Sequence, residues 1–171
     1  MEEKASTARI ALKYGVLGAV VIMVYSTIVN ISGLSQNKIL QVLSFAFMIV
    51  AIILAMQDFK EQNKGYMSYG EGLGLGTLLA AIMGFLGSMF TMFYMRFIDP
   101  AILTQGMDKV RSDMEARGMD DAQIDQAMEF SQKFMSPGIM FFIVVVGYIF
   151  MGLLISLVLS AILRKEKPVF E

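Results

Sequence analysis

Cysteine and histidine are both absent from this chain of 171 residues. The lack of cysteine excludes disulfide bonds. Without either residue, most zinc, haem and iron–sulfur sites lose their usual ligands. Nucleophilic catalysis of the triad type loses its usual base for the same reason. We therefore predict no metal, no cofactor and no catalytic residues, and expect that the protein is not an enzyme.

Charged residues are scarce. Only 17% of the chain is charged and 56% is hydrophobic, whereas a soluble domain has about 25% charged and about 45–50% apolar residues. The net charge of −1 leaves no basic surplus for a phosphate backbone, so we expect no nucleic-acid partner. The charges also collect in a few short segments, and the long apolar stretches between them predict contact with a lipid bilayer.

Four apolar stretches are long enough to cross a membrane. A helix needs roughly 20 apolar residues to cross a hydrocarbon core of about 30 Å. The stretches cover residues 10–31, 39–56, 73–97 and 139–163. A soluble core would leave too little polar surface to cover four such helices. The sequence predicts an all-α membrane protein, a bundle of four transmembrane helices forming one membrane domain over residues 1–171.

Basic residues near the span ends predict the orientation. One side of the membrane would carry Lys4, Arg9, Lys13, Lys60, Lys64, Arg164, Lys165 and Lys167. Because Lys and Arg near span ends favour the cytoplasmic side, we predict that both termini are cytoplasmic. The opposite side receives the segment between the third and fourth spans, which is rich in acids.

Small residues recur every four positions in the third and fourth spans. Burial alone cannot hold helices together in lipid, so close approach of backbones is needed. The third span has Gly72, Gly76, Ala80 and Gly84, and the fourth has Gly152, Ser156 and Ser160. We predict that the two helices pack along these faces.

Residues 99–136 form the largest polar segment. Asp99 suits the N-cap of a helix whose first residue is Pro100, and Gly118 suits its left-handed end. Asp120, followed three residues later by Gln123, marks a second start. The segment predicts an extracytoplasmic amphipathic helical hairpin. It could cap the bundle, lie on the membrane or bind another protein.

Polar groups in or near the spans are the candidate functional residues, because such groups are costly in lipid. They are Glu71, Arg96, Asp99 and Asn30. Met89, Met92 and Met95 recur every three positions, and we interpret them as flexible filling of apolar space rather than a copper site.

Two short motifs suggest a family. Tyr69-Gly-Glu-Gly72 opens the glycine-rich third span, and Phe97-Ile-Asp-Pro100 precedes the amphipathic segment. With four spans in this order, the chain resembles the four-pass bacterial membrane proteins catalogued as domain of unknown function 4199. The resemblance implies a bacterial inner-membrane location and supplies no activity.

Two functional hypotheses follow. The first is a non-catalytic accessory or scaffolding subunit whose outer hairpin contacts a membrane or periplasmic protein. The alternative is a small transporter, channel or lipid-handling protein acting as a homo-oligomer. A cavity bounded by the third and fourth spans would favour the alternative.

Overall fold

The computed structural model describes residues 6–35, 37–134 and 136–167. Two residues that belong to the predictions above lie outside the described residues. They are Lys4, one of the basic residues near the span ends, and Met135 of the predicted hairpin. The described residues form six helices, which are α1 (Thr7–Ile31), α2 (Lys38–Gln62), α3 (Tyr69–Phe97), α4 (Ala101–Ala116), α5 (Asp121–Phe134) and α6 (Pro137–Leu163). Within these ranges the β-type pairing is one antiparallel bridge, Met67 with Lys165.

Four of the helices are long and apolar enough to cross a membrane. They are α1, α2, α3 and residues 138–163 of α6, with 25 to 29 residues each. At about 1.5 Å per residue, each exceeds the length that a hydrocarbon core requires. The prediction of an all-helical chain with four long apolar helices is confirmed. The helices run past the apolar stretches, since α2 continues to Gln62 and α3 already begins at Tyr69.

The chain forms two compact units. Unit 1 contains the residues up to Gly87 and those from Val145 onward, and unit 2 runs from Ser88 to Val144. The helices α3 and α6 each contribute residues to both units. Unit 1 therefore holds α1, α2, the first part of α3 and the last part of α6.

The core of unit 1 depends on small residues that allow close packing. Gly15 of α1 lies against α3, where an added Cβ would be 2.9 Å from Ile82 Cβ and 3.2 Å from the Leu79 carbonyl oxygen. At Gly18 an added Cβ would be 2.9 Å from Met83 Sδ. Fully buried apolar side chains fill the space between the helices, among them Ile52, Met56, Phe59, Leu75 and Leu79.

Unit 2 contains the amphipathic helices α4 and α5. Gly118 has a positive φ of 77°, as a left-handed helix end requires. Asp120 Oδ1 accepts the Gln123 N–H at 2.8 Å and caps α5. An exposed ion pair joins the two helices, with Arg111 Nη2 3.8 Å from Asp125 Oδ1.

The start of α4 differs from the expectation by one residue. The helix begins at Ala101, and Pro100 is its cap residue rather than its first helical residue. The Asp99 carboxylate still accepts a backbone N–H at this end, that of Ala101 at 3.1 Å. The reason is that an Asp side chain readily bonds the N–H two residues on, which forms a turn ahead of the helix.

Candidate functional site

Unit 2 contains an apolar cavity of about 610 Å³. The end of α3, the beginning of α4 and the beginning of α6 line it. Its apolar lining includes Met92, Phe93, Met95, Phe97, Met140 and Phe141. Small-molecule sites in proteins usually measure about 300–1,000 Å³ and are mostly apolar, so the size and lining fit a binding site.

Helical spacing explains why α3 lines the cavity. Met92 follows Ser88 by four residues, and Met95 and Arg96 follow Met92 by three and four residues, and such intervals place side chains on one helix face. On α6, Val144 follows Met140 by one turn. Methionine side chains are flexible and polarisable, so these walls adapt to an irregular apolar ligand.

The polar groups of the cavity are few. Ser88 is 2% exposed, whereas Thr91 and Arg96 are exposed. Arg96 is the charged residue of the lining, and its guanidinium carbon lies 5.9 Å from the centre of the Phe97 ring. A single cation at an apolar cavity provides one fixed electrostatic contact for a ligand.

In unit 1 the small residues of α3 and α6 face each other in antiparallel order. A Cβ added at Gly72 would be 2.7 Å from Ser160 Oγ, and one at Gly84 would be 2.6 Å from Tyr148 Cβ. Between these pairs, Gly76 faces Ser156.

A fourth pair completes this arrangement, since Gly152 of α6 faces Ala80 of α3. Each pair is one step of four residues from the next on both helices. We call these two sets of residues the α3 row and the α6 row. All seven small residues selected from the sequence lie in the rows. Tyr148 is the member that the sequence reasoning missed, although its position four residues before Gly152 was a usable signal.

Comparison with known proteins assigns the chain to a family. Residues 13–165 match the family described as protein of unknown function, DUF4199. This chain belongs to that family. The identification agrees with the resemblance inferred from the third span and the Phe97–Pro100 motif. No curated protein and no solved structure matches the chain.

The DUF4199 match includes every residue of the cavity lining and of the two rows.

Unit 1 also contains a polar region around Ser68 and Glu71, which lies within the matched residues. Glu71, one of the candidate functional residues predicted from the sequence, lies there. In the structure its Oε2 accepts both the backbone N–H and the hydroxyl of Ser68 at 2.8 Å.

Ser68 completes the exchange, because its Oγ accepts the Glu71 N–H at 3.3 Å. The two residues therefore form a capping box at the start of α3. The signal was present in the sequence as Ser68 followed three residues later by Glu71. The capping box gives Glu71 a structural role at the start of α3. Glu71 also lines a polar pocket of about 390 Å³, together with residues of the α2–α3 loop and residues 165–167.

Unit 1 also contains an ion pair between α1 and α2 that was not predicted from the sequence. Lys13 Nζ of α1 lies 2.8 Å from Asp58 Oδ2 of α2, and Gln62 donates to Asp58 Oδ1 at 2.8 Å. Lys60 Nζ donates to the Leu163 carbonyl at 3.2 Å, which satisfies a free carbonyl at the end of α6. The Lys13–Asp58 and Lys60–Leu163 contacts join elements that are far apart in the chain, so spacing along the sequence could not show them.

The remaining candidates, Asn30 and Asp99, line neither the apolar cavity nor the polar pocket. Asn30 is half-buried near the end of α1, and Asp99 precedes α4. Of the four polar candidates, Arg96 lines the cavity of unit 2, and Glu71 lines the polar pocket of unit 1.

Proposed function

We propose that this DUF4199 protein is a multi-pass protein of the bacterial inner membrane that binds lipid in the cavity of unit 2. In this proposal it handles lipid without catalysing a reaction, and both termini are cytoplasmic. The observation that supports it is the cavity itself, about 610 Å³ in volume and lined by methionine and phenylalanine.

The lining favours an acyl chain over a water-soluble solute. Most of the residues that line the cavity are apolar, and Ser88, Thr91 and Arg96 are its polar members. Transfer of a polar solute into such a site would leave its polar groups without hydrogen-bond partners, which is costly. An acyl chain has no such groups and gains contact with flexible side chains.

The buried hydroxyls of unit 1 do not favour a channel. Thr77, Ser156 and Ser160 have buried hydroxyl oxygens without a hydrogen-bond partner within the described part of the chain. Ser156 and Ser160 face Gly76 and Gly72 so closely that even a methyl group would not fit between them. A hydrated path between these helices would need space for water beside the two serine oxygens, and their close packing on the glycines leaves none there.

Filling the cavity tests the proposal. Val144 lines the cavity, whereas Val146 on the same helix is 58% exposed and does not line it. We expect Val144→Phe to lose lipid that wild-type protein retains after purification in mild detergent, as measured by native mass spectrometry. Val146→Phe adds the same ring and should keep the lipid. Equal lipid retention by both variants, with unchanged helical content, would contradict the proposal.

A second candidate function, the accessory or scaffolding subunit, has its own supporting observation. The rings of Phe130 and Phe134 of α5 are in contact, with centroids 4.7 Å apart and planes tilted by 50°, yet the two residues are 62% and 46% exposed. Exposed aromatic pairs are common anchors at protein interfaces. This reading predicts that a stoichiometric protein partner co-purifies with wild type and is lost from a Phe130→Ser, Phe134→Ser variant. Absence of any partner in mild detergent would remove this candidate.

A further inference from the structure

We infer that the lipid held in the cavity of unit 2 has an anionic headgroup, which Arg96 binds. The inference rests on the proposed function, because it names the chemical class of the ligand at that site. It requires three things of the structure: a cation at the cavity, no carboxylate that already neutralises it, and no acidic group in the lining that would repel the headgroup.

Arg96 meets the first requirement. It lies in the last turn of α3 and lines the cavity together with Met92 and Met95, which precede it by four residues and by one residue. The side chain is exposed, so its N–H groups are accessible to a headgroup outside the apolar walls. Its guanidinium carbon lies 5.9 Å from the centre of the Phe97 ring. A contact with an aromatic ring does not neutralise the positive charge, so the guanidinium can still bind an anion.

The second requirement concerns carboxylates. Among the described residues, Arg96 forms no ion pair, while Lys13, Arg111 and Lys133 each pair with an acid. The acid closest to Arg96 in sequence is Asp99, and its carboxylate accepts the Ala101 N–H at the start of α4. The positive charge of Arg96 is therefore not neutralised by an ion pair within the described part of the chain.

The third requirement is met by the composition of the lining. Ser88 and Thr91 are its other polar members, and both are uncharged. A guanidinium binds phosphate through two parallel hydrogen bonds, which are stronger than bonds between neutral groups. A neutral diacylglycerol would leave Arg96 without this contact, and a zwitterionic lipid would add a second cation near it. An anionic phospholipid places its acyl chain in the cavity and its phosphate at Arg96.

Lipid titration of the full-length protein tests this assignment. Phosphatidylglycerol and phosphatidylcholine with identical acyl chains would each be titrated into detergent-solubilised protein, and bound lipid counted by native mass spectrometry. We expect wild type to bind phosphatidylglycerol about tenfold more tightly, the scale of one charge-assisted contact. Arg96→Gln should bind both lipids with the weaker affinity.

Two further variants separate the possible failures. Arg164→Gln removes an exposed arginine of unit 1 that does not line the cavity, and it should keep the preference. Val144→Phe should lose both lipids. If Arg96→Gln keeps the preference, or Arg164→Gln loses it equally, the headgroup assignment is wrong. Equal binding of the two lipids by wild type, abolished by Val144→Phe, would overturn the assignment and leave the proposed function standing. Binding of neither lipid would overturn both.

Discussion

The residues at four-residue spacing on α3 and α6 differ in character between the two units. In unit 1 the pairs from Gly72 with Ser160 to Gly84 with Tyr148 bring the two helices into close contact. Continued at the same four-residue interval, the α3 row passes through Ser88, Met92 and Arg96 in unit 2. The α6 row continues in the opposite direction through Val144 and Met140. All five of these residues line the cavity.

The difference shows how side-chain size separates the parts of these helices that pack closely from the parts that line the cavity. In lipid, helices associate where small residues allow their backbones to approach. Larger and flexible side chains hold space open and make it apolar. A four-residue repeat therefore produces close contact where each facing pair includes a glycine, and a lined cavity where its members are mainly Met, Val and Arg.

The number of buried apolar side chains also differs between the two units. The large buried cluster of apolar residues, which includes Ile52, Phe59 and Leu79, belongs to unit 1. In unit 2 the buried apolar residues among those described are Tyr94 and Ile124, and α4 has none. Regions with few buried contacts open locally at lower free-energy cost. We therefore expect unit 2 to be the more easily opened of the two, which would help the proposed lipid to enter.

The largest effect should come from filling the close contact between the rows. A Cβ at Gly152 would collide with the Cβ of Ala80, whereas one at Gly147 on the same helix would meet nothing within 4 Å. We expect Gly152→Ala to lower the free energy of unfolding by about 2–3 kcal/mol, since overpacking forces the helices apart. Gly147→Ala should be neutral or slightly stabilising. Unfolding of both variants in detergent, followed by circular dichroism, measures the difference, and equal stabilities would refute the close contact.

A smaller and local effect is expected in unit 2 from loss of the α5 cap. Asp120→Ala removes the acceptor of the Gln123 N–H. Loss of such a cap costs about 1 kcal/mol, so amide hydrogen exchange within residues 121–134 should become about fivefold faster. Exchange in unit 1 should not change. Asp121→Ala alters the charge of the same helix end without removing that acceptor, and should accelerate exchange less. Similar acceleration in both variants would mean that charge, and not the cap, protects α5.

The smallest effect should come from the Lys13–Asp58 pair of unit 1. The Lys13 side chain is 56% exposed, and the Asp58 side chain is 16% exposed. Exposed ion pairs contribute little, so we expect Lys13→Met to change the melting temperature by about 2 °C or less. The comparison of Lys13→Met, Asp58→Asn and the double variant isolates the coupling of the two residues. A shift as large as that of Gly152→Ala would show that this pair, rather than close packing, stabilises unit 1.

Part of the candidate site was accessible from the sequence, and part was not. The small members of the two rows could be selected because helix–helix contacts in lipid need small residues at helical spacing. The capping box of Ser68 and Glu71 is also a local pattern, and it was available but missed. The contact of Lys13 with Asp58 joins residues 45 positions apart, and no pattern along the chain marks such a pair.

The sequence by itself determined the four long apolar helices, the turn at Gly118 and the cap at Asp120. Each depends on residues that are neighbours along the chain or within one helix. Only the tertiary structure decided which residues of α3, α4 and α6 enclose the cavity, and that Arg96 lies in its lining. The physical reason is that a cavity is the space left between helices, so it depends on the register in which separate helices pack.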